Sequence, residues 1–137
     1  MDKREVTIRY DSYMYDTDEH IEMIANGAYY EKCDKHYVMY TEELENGQPV
    51  KNVLKFDDRA LEVLKFGVTK TKMYYEPGYT HTDVYRTAFG DYDMCIDTDK
   101  YILVLSEDHF KILTEYRLKL GGSHVSKCKV EIYIDMV

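Results

Sequence analysis

Tryptophan is absent from this 137-residue chain, proline occurs twice and cysteine three times. Each scarcity excludes something. The cysteines, Cys33, Cys95 and Cys128, form no CxxC pair, and an odd number cannot close a disulfide framework. A reduced, cytoplasmic setting is expected, with each thiol a small, largely buried residue. No apolar run approaches the roughly 18 residues that cross a membrane as a helix. The opening "MDKREVTIRY" carries charge where a signal peptide needs apolar side chains. Positive charge is also short: 18 Lys and Arg against 26 Asp and Glu leave a net charge of −8. That balance opposes binding to nucleic acid and to anionic lipid. There is no GxSxG, HExxH, P-loop or dinucleotide fingerprint, so neither a cofactor nor catalytic machinery is expected.

What the chain has is tyrosine, 15 of them. Tyrosine suits pleated sheets and half-wet cavities, where the ring is buried and the hydroxyl finds a partner. Turn signals recur at short intervals: "CDK" at 33–35, "ENGQP" at 45–49, "DDR" at 57–59, Gly67, "EPG" at 76–78, "DTDK" at 97–100, "SED" at 106–108 and "GGS" at 121–123. Between them lie alternating runs rich in Val, Ile, Thr, Tyr and Phe, the pattern of many short antiparallel strands. The runs predict strands near 4–14, 21–33, 35–43, 49–56, 60–66, 68–75, 79–98, 101–106, 109–120 and 123–134. In 110–120, Phe110, Ile112, Thr114, Tyr116, Leu118 and Leu120 share one face, and mostly charged residues share the other. "DDRALEVLKFG" is the one stretch compatible with a helix, although its second half suits a strand equally well.

Two glycines fall inside strand patterns, Gly27 and Gly90, where barrels bend or bulge. The apolar parity shifts around Gly90, which reads as a bulge in one long bent strand at 79–98, with a hairpin as the alternative. A meander of this length lies flat, folds into a sandwich or closes, and closure alone removes both exposed edges. The fold class expected is all-β: a closed antiparallel meander barrel of eight to ten strands, one domain over residues 1–137.

The segments "MIANGAYY", "YVMYTEE", "VLKFG", "KMYYEPG", "VYRTAFG", then Thr98 and "TEYRL", come in an order that resembles the YwiB-like family of small bacterial proteins. That family is classed as a domain of unknown function with a lipocalin-like (calycin) β-barrel, and the resemblance runs from about residue 5 to 134. It implies a barrel of the lipocalin kind and no assigned activity. Family members usually carry Arg two residues before the glycine matching Gly67. Here the position is Lys65, a point charge in place of a planar fork.

Parity places Tyr40 and Glu42 on the face of Val38, and Lys65 on the face of Leu61 and Val63. Met73 and Tyr75 share a face, as do Tyr85 and Thr87, and Tyr116 lies on the apolar face of 110–120. If these faces point inward, one end of the barrel holds Glu42, Lys65 and several tyrosine hydroxyls. A buried charge must be paired or used. Glu42 is therefore read as a solvated rim residue, one half of an interior ion pair with Lys65, or a ligand contact. Tyr40, Glu42, Lys65, Tyr85 and Tyr116 form the candidate ligand-binding set at the barrel interior or mouth.

Other constellations carry less. His81 and Asp83 read as exposed strand residues, since two ligands do not make a metal site. "DYDMCIDTD" lacks the glycine and terminal glutamate of a calcium loop. His20, His36, His109 and His124 sit near turns and read as surface. No metal is expected. The first functional reading is a non-enzymatic barrel holding a small, partly apolar molecule. The alternative is a protein-interaction or regulatory module with a filled core, presenting Tyr37, Met39, Tyr74 and Tyr133 to a partner. An enzyme using Glu42 as base comes third, because no partner group is paired with it. Monomer and homodimer fit equally.

Overall fold

The computed structural model describes residues 3–43, 46–67, 70–87, 89–122 and 125–137, and of Thr87 the backbone alone. His124 and the expected strand starts at 68 and 123 lie outside the described residues. Ten strands follow one another: β1 (Arg4–Met14), β2 (Glu19–Lys32), β3 (Lys35–Glu43), β4 (Pro49–Phe56), β5 (Leu61–Phe66), β6 (Lys70–Tyr75), β7 (Thr80–Thr87), β8 (Gly90–Leu105), β9 (His109–Leu120) and β10 (Val125–Met136). The alternation of the sequence becomes an inner and an outer face. Val6 and Ile8, Val38, Leu54 and Phe56, Leu61 and Val63, Ile96, Ile112, Ile132 and Ile134 all point inward and are buried.

All the pairings are antiparallel, in the order β6-β5-β4-β3-β2-β1-β10-β9-β8-β7. The chain ends meet in the middle of this sheet, where β1 pairs with β10 from Val6↔Met136 to Met14↔Cys128. The two edges are β6 and β7, neighbours in sequence that share no ladder among the described residues. The sheet curls until these edges face each other, making a nearly closed barrel. Single bonds span the seam in place of a ladder. His81 Nε2 donates to the Lys72 carbonyl at 3.0 Å, and the Tyr101 hydroxyl to the Asp57 carbonyl at 2.7 Å. His81 is consequently buried, not an exposed strand residue as its pattern indicated. An edge carbonyl without a ladder partner needs a donor, and the imidazole supplies one.

Two sequence expectations are corrected. Residues 79–98 form no single bent strand: β7 and β8 are a hairpin, paired from Thr80↔Asp97 to Thr87↔Gly90, with Gly90 at φ 129° opening β8. A turn shifts apolar parity as readily as a bulge does. The bulge itself lies between Thr98 and Lys100, and β8 runs through it, so 101–106 is not a separate strand. "DDRALEVLKFG" is a turn and a strand, in keeping with the turn signal at 57–59 and the run at 60–66. Asp57 Oδ1 accepts from the Arg59 and Ala60 amides at 2.9 and 3.0 Å, which fixes the turn before β5.

Candidate functional site

The ends of β3, β4 and β5 build the site. Register sets Tyr40 opposite Asn52, and Asn52 opposite Lys65. Glu42, two residues beyond Tyr40, lies on the same inner face one step nearer the rim. Lys65 Nζ meets Glu42 Oε1 at 3.1 Å, and Asn52 Nδ2 donates to the same oxygen at 3.0 Å and to the Val50 carbonyl at 3.3 Å. The Glu42 and Lys65 side chains keep 29% and 36% of their exposure, so the pair sits at a mouth. Asn52 is buried completely, and no donor among the described residues reaches its Oδ1.

The wall opens beside this group. β2 pairs with β3 only from Gly27 to Lys32. Residues Glu19–Asn26 pair with β1 alone, and Thr41–Glu43 with β4 alone. The β1–β2 ribbon therefore parts from β3 at Gly27, next to Glu42. Ile21, Met23 and Ala25 continue the inner face of this ribbon, since they lie opposite Ser12, Tyr10 and Ile8, and Ile21 is exposed. A polar group thus stands beside an apolar, accessible wall.

Beneath the mouth lie tyrosines. Burial, reinforced by Tyr10 and Glu42, pushes the Tyr40 hydroxyl well above its ordinary range. Burial with the nearby Glu42 and Cys128 raises Tyr10 to about 12. Tyr75 and Tyr116 are raised mainly by burial, and their rings meet edge-on with centroids 4.8 Å apart. All stay protonated near neutrality and act as donors or acceptors, never as anions. Burial alone would raise the Glu42 carboxyl, but the bonds from Asn52 and Lys65 outweigh it and hold it below the usual carboxylate range. Deeper still, the barrel is filled by Ile8, Val38, Leu54, Phe56, Ile112 and their neighbours.

Of the candidate residues, Tyr40, Glu42 and Lys65 come together, and Tyr116 is buried below them. Tyr85 does not join them. It faces Tyr92 across the β7–β8 hairpin, and β9 reaches β8 only from Met94 onward. Beyond that point no third strand among the described residues covers the hairpin, so Tyr85 is 40% exposed although its parity is inward. Asn52 and Tyr10 were missed. Both were signalled by polar atoms on apolar faces: Asn52 between Val50 and Leu54, and Tyr10 after Val6 and Ile8.

The remaining expectations divide. Cys128 is buried and Cys95 half-buried, but Cys33 is exposed, because it occupies the β2–β3 turn at φ 52°. His36 is not simply surface: Nδ1 bonds the Tyr29 hydroxyl at 2.7 Å and the ring stacks on Phe56. The outer tyrosines are half-buried. Tyr37 stacks on Tyr30 at 4.9 Å beneath Lys55, and Tyr133 lies between Arg9 and Lys111. Cations over the rings break the bare apolar patch anticipated there.

The model of a family described as a domain of unknown function, DUF1934, matches residues 6–132. The chain is 28% identical over 103 residues to the uncharacterized beta-barrel protein YwiB of Bacillus subtilis (strain 168), spanning 75% of this chain and 72% of that protein. The crystal structure of the Bacillus subtilis ywiB protein superposes with a TM-score of 0.86 at 24% identity, covering 98% of this chain and 93% of that one. That likeness concerns the fold alone.

Proposed function

This chain belongs to the DUF1934 family, and from that premise we propose that its barrel binds a small, partly apolar molecule at the mouth, without catalysis. The observation that carries the reading is Asn52 Oδ1, a buried acceptor with no donor among the described residues. Buried polar groups are nearly always paired, and leaving one unpaired costs about 1–3 kcal/mol. A ligand hydroxyl or amine would satisfy it once the Glu42 and Lys65 side chains shift to uncover this closed atom. Lys65 and Glu42 offer a donor and an acceptor beside it, and Tyr10, Met23 and Ile21 offer apolar surface. The lipocalin kind of barrel implied by the family resemblance, a reducing cytoplasmic setting and a monomeric site all accord with this reading. The ligand sits over the core and not within it, because the depth is filled.

Catalysis fits the mouth less well. A general base works best with a pKa near the operating pH, whereas the Glu42 carboxyl is held low and already engaged by Lys65. Native mass spectrometry of the protein purified from its own host tests the proposal. A retained small molecule is expected, lost from Glu42→Gln and Asn52→Ala variants that remain folded. No retained mass, or equal retention by both variants, would sink it and favour the filled-barrel interaction module.

A further inference from the structure

The outer face of the β1–β2 ribbon carries a second arrangement, independent of the mouth. Register places Glu22 opposite Asp11 on one side, and Glu131 opposite Asp11 on the other. Three carboxylates thus stand abreast on neighbouring strands, although like charges facing across a ladder are destabilising. The middle one is also buried: Asp11 keeps 1% of its exposure on a face that is otherwise wet. Glu131 has its own partners, Lys129 Nζ at 3.3 Å and the Tyr133 hydroxyl. Arg9 must then serve two acids, with Nε 3.2 Å from Asp11 Oδ2 and its terminal nitrogen 3.1 Å from Glu22 Oε2.

His20 completes the group. Its ring lies flat on Tyr13, with centroids 4.3 Å apart and planes within 4°, and Nε2 is 3.2 Å from Asp11 Oδ1. One donor atom each from Asp11, His20 and Glu22 lies within 4.8 Å of the others. Ligand atoms around an ion with bonds of about 2.1 Å sit roughly 3.0–3.4 Å apart, so the His20–Asp11 pair already has that spacing.

The geometry points to a divalent transition-metal site formed by Asp11, His20 and Glu22. An imidazole with two carboxylates suits zinc, manganese or iron better than calcium or magnesium, which prefer oxygen alone. The ion takes the place of the Arg9 guanidinium between the two acids and relieves the carboxylate row. Arg9 has somewhere to go, because its guanidinium carbon already lies 5.7 Å from the centroid of the Tyr133 ring, a cation–π distance. His20 and Glu22 are half-exposed, which gives the ion an entry path.

The experiment is a titration of the untagged full chain with Zn2+ by calorimetry and with Co2+ by visible absorption. A Cys33→Ser background removes the exposed thiol as a rival ligand. One ion per chain is expected, with a ligand-field band and a raised Tm. His20→Gln and Glu22→Gln should each weaken binding roughly tenfold or more and abolish the Tm rise. Circular dichroism verifies that each variant is folded. Affinity weaker than about 1 mM, or binding by folded His20→Gln and Glu22→Gln equal to that of the parent, would overturn the site.

Discussion

Glu42 and Lys65 bond at 3.1 Å across a whole intervening strand. One belongs to β3 and the other to β5, and Asn52 of β4 fills the space between them, in register with Lys65 and bonded to Glu42. Interior parity aims both charges the same way, and the barrel's curvature brings β3 and β5 close enough to meet. Because about a third of each side chain stays hydrated, the pair behaves as a rim ion pair. Glu42→Gln should lower the unfolding free energy by no more than about 1 kcal/mol, read from the urea midpoint. A larger loss would mean that the pair supports the fold and not a site.

Acid should weaken the protein through two glutamates. Glu42 is held low by Asn52 and Lys65 against its burial, and Glu131 chiefly by the Tyr133 hydroxyl, then by Lys129. A carboxyl whose folded pKa lies below its unfolded value contributes stability that is present above the unfolded value. That contribution disappears as pH falls through the folded one. Urea midpoints across the acid range should therefore fall more steeply for the parent chain than for a Glu42→Gln, Glu131→Gln double variant. Parallel curves would show that neither carboxyl is shifted.

Alkali acts on the tyrosines with the opposite sign. Tyr10 is raised to about 12, and Tyr40, Tyr75 and Tyr116 are raised further, each mainly by burial. Their contribution is intact below the unfolded tyrosine pKa and is lost as pH rises toward the folded values. A tyrosinate absorbance titration should show an early hydrated class and a late class that ionises together with unfolding. A single early transition for all 15 tyrosines would contradict the buried cluster.

Tyr116 holds the floor of the mouth, 7% exposed and edge-on to Tyr75. Tyr116→Ala should cost about 3–5 kcal/mol, as for other large aromatic deletions. Tyr116→Phe, which keeps the ring, should cost only about 1 kcal/mol. Equal urea midpoints for the two variants would show that the ring packs against nothing.

Gly27 stands at the point where β2 parts from β3. A Cβ there would collide with the Met39 carbonyl oxygen and lie 2.9 Å from Ile8 Cδ1. Backbone cannot yield as a flexible side chain does, so Gly27→Ala should destabilise by about 1–3 kcal/mol, the range for overpacking. Unchanged thermal unfolding would mean that the two strands separate freely there.

Period-two alternation is local, and it was legible wherever a strand is covered on one side. The inward face of β9, the inward set Val38–Tyr40–Glu42 and the orientation of Lys65 behind Leu61 and Val63 all follow from alternation alone. The turn residues made the strand count and the all-β class readable too. Alternation is silent about how far each ribbon is accompanied by its neighbours. Tyr85 has the parity of a core residue and is exposed because β9 ends before the hairpin does. His81 looked like a surface residue and is buried because the barrel's seam falls between β6 and β7. Asn52 Oδ1 has no donor among the described residues, and Asp11 lies under Arg9 and His20, through register among strands distant in sequence. Side-chain direction is a property of one strand, fixed by its pleat. Burial and pairing are properties of three or more strands at once, and only the assembled, nearly closed sheet decides them.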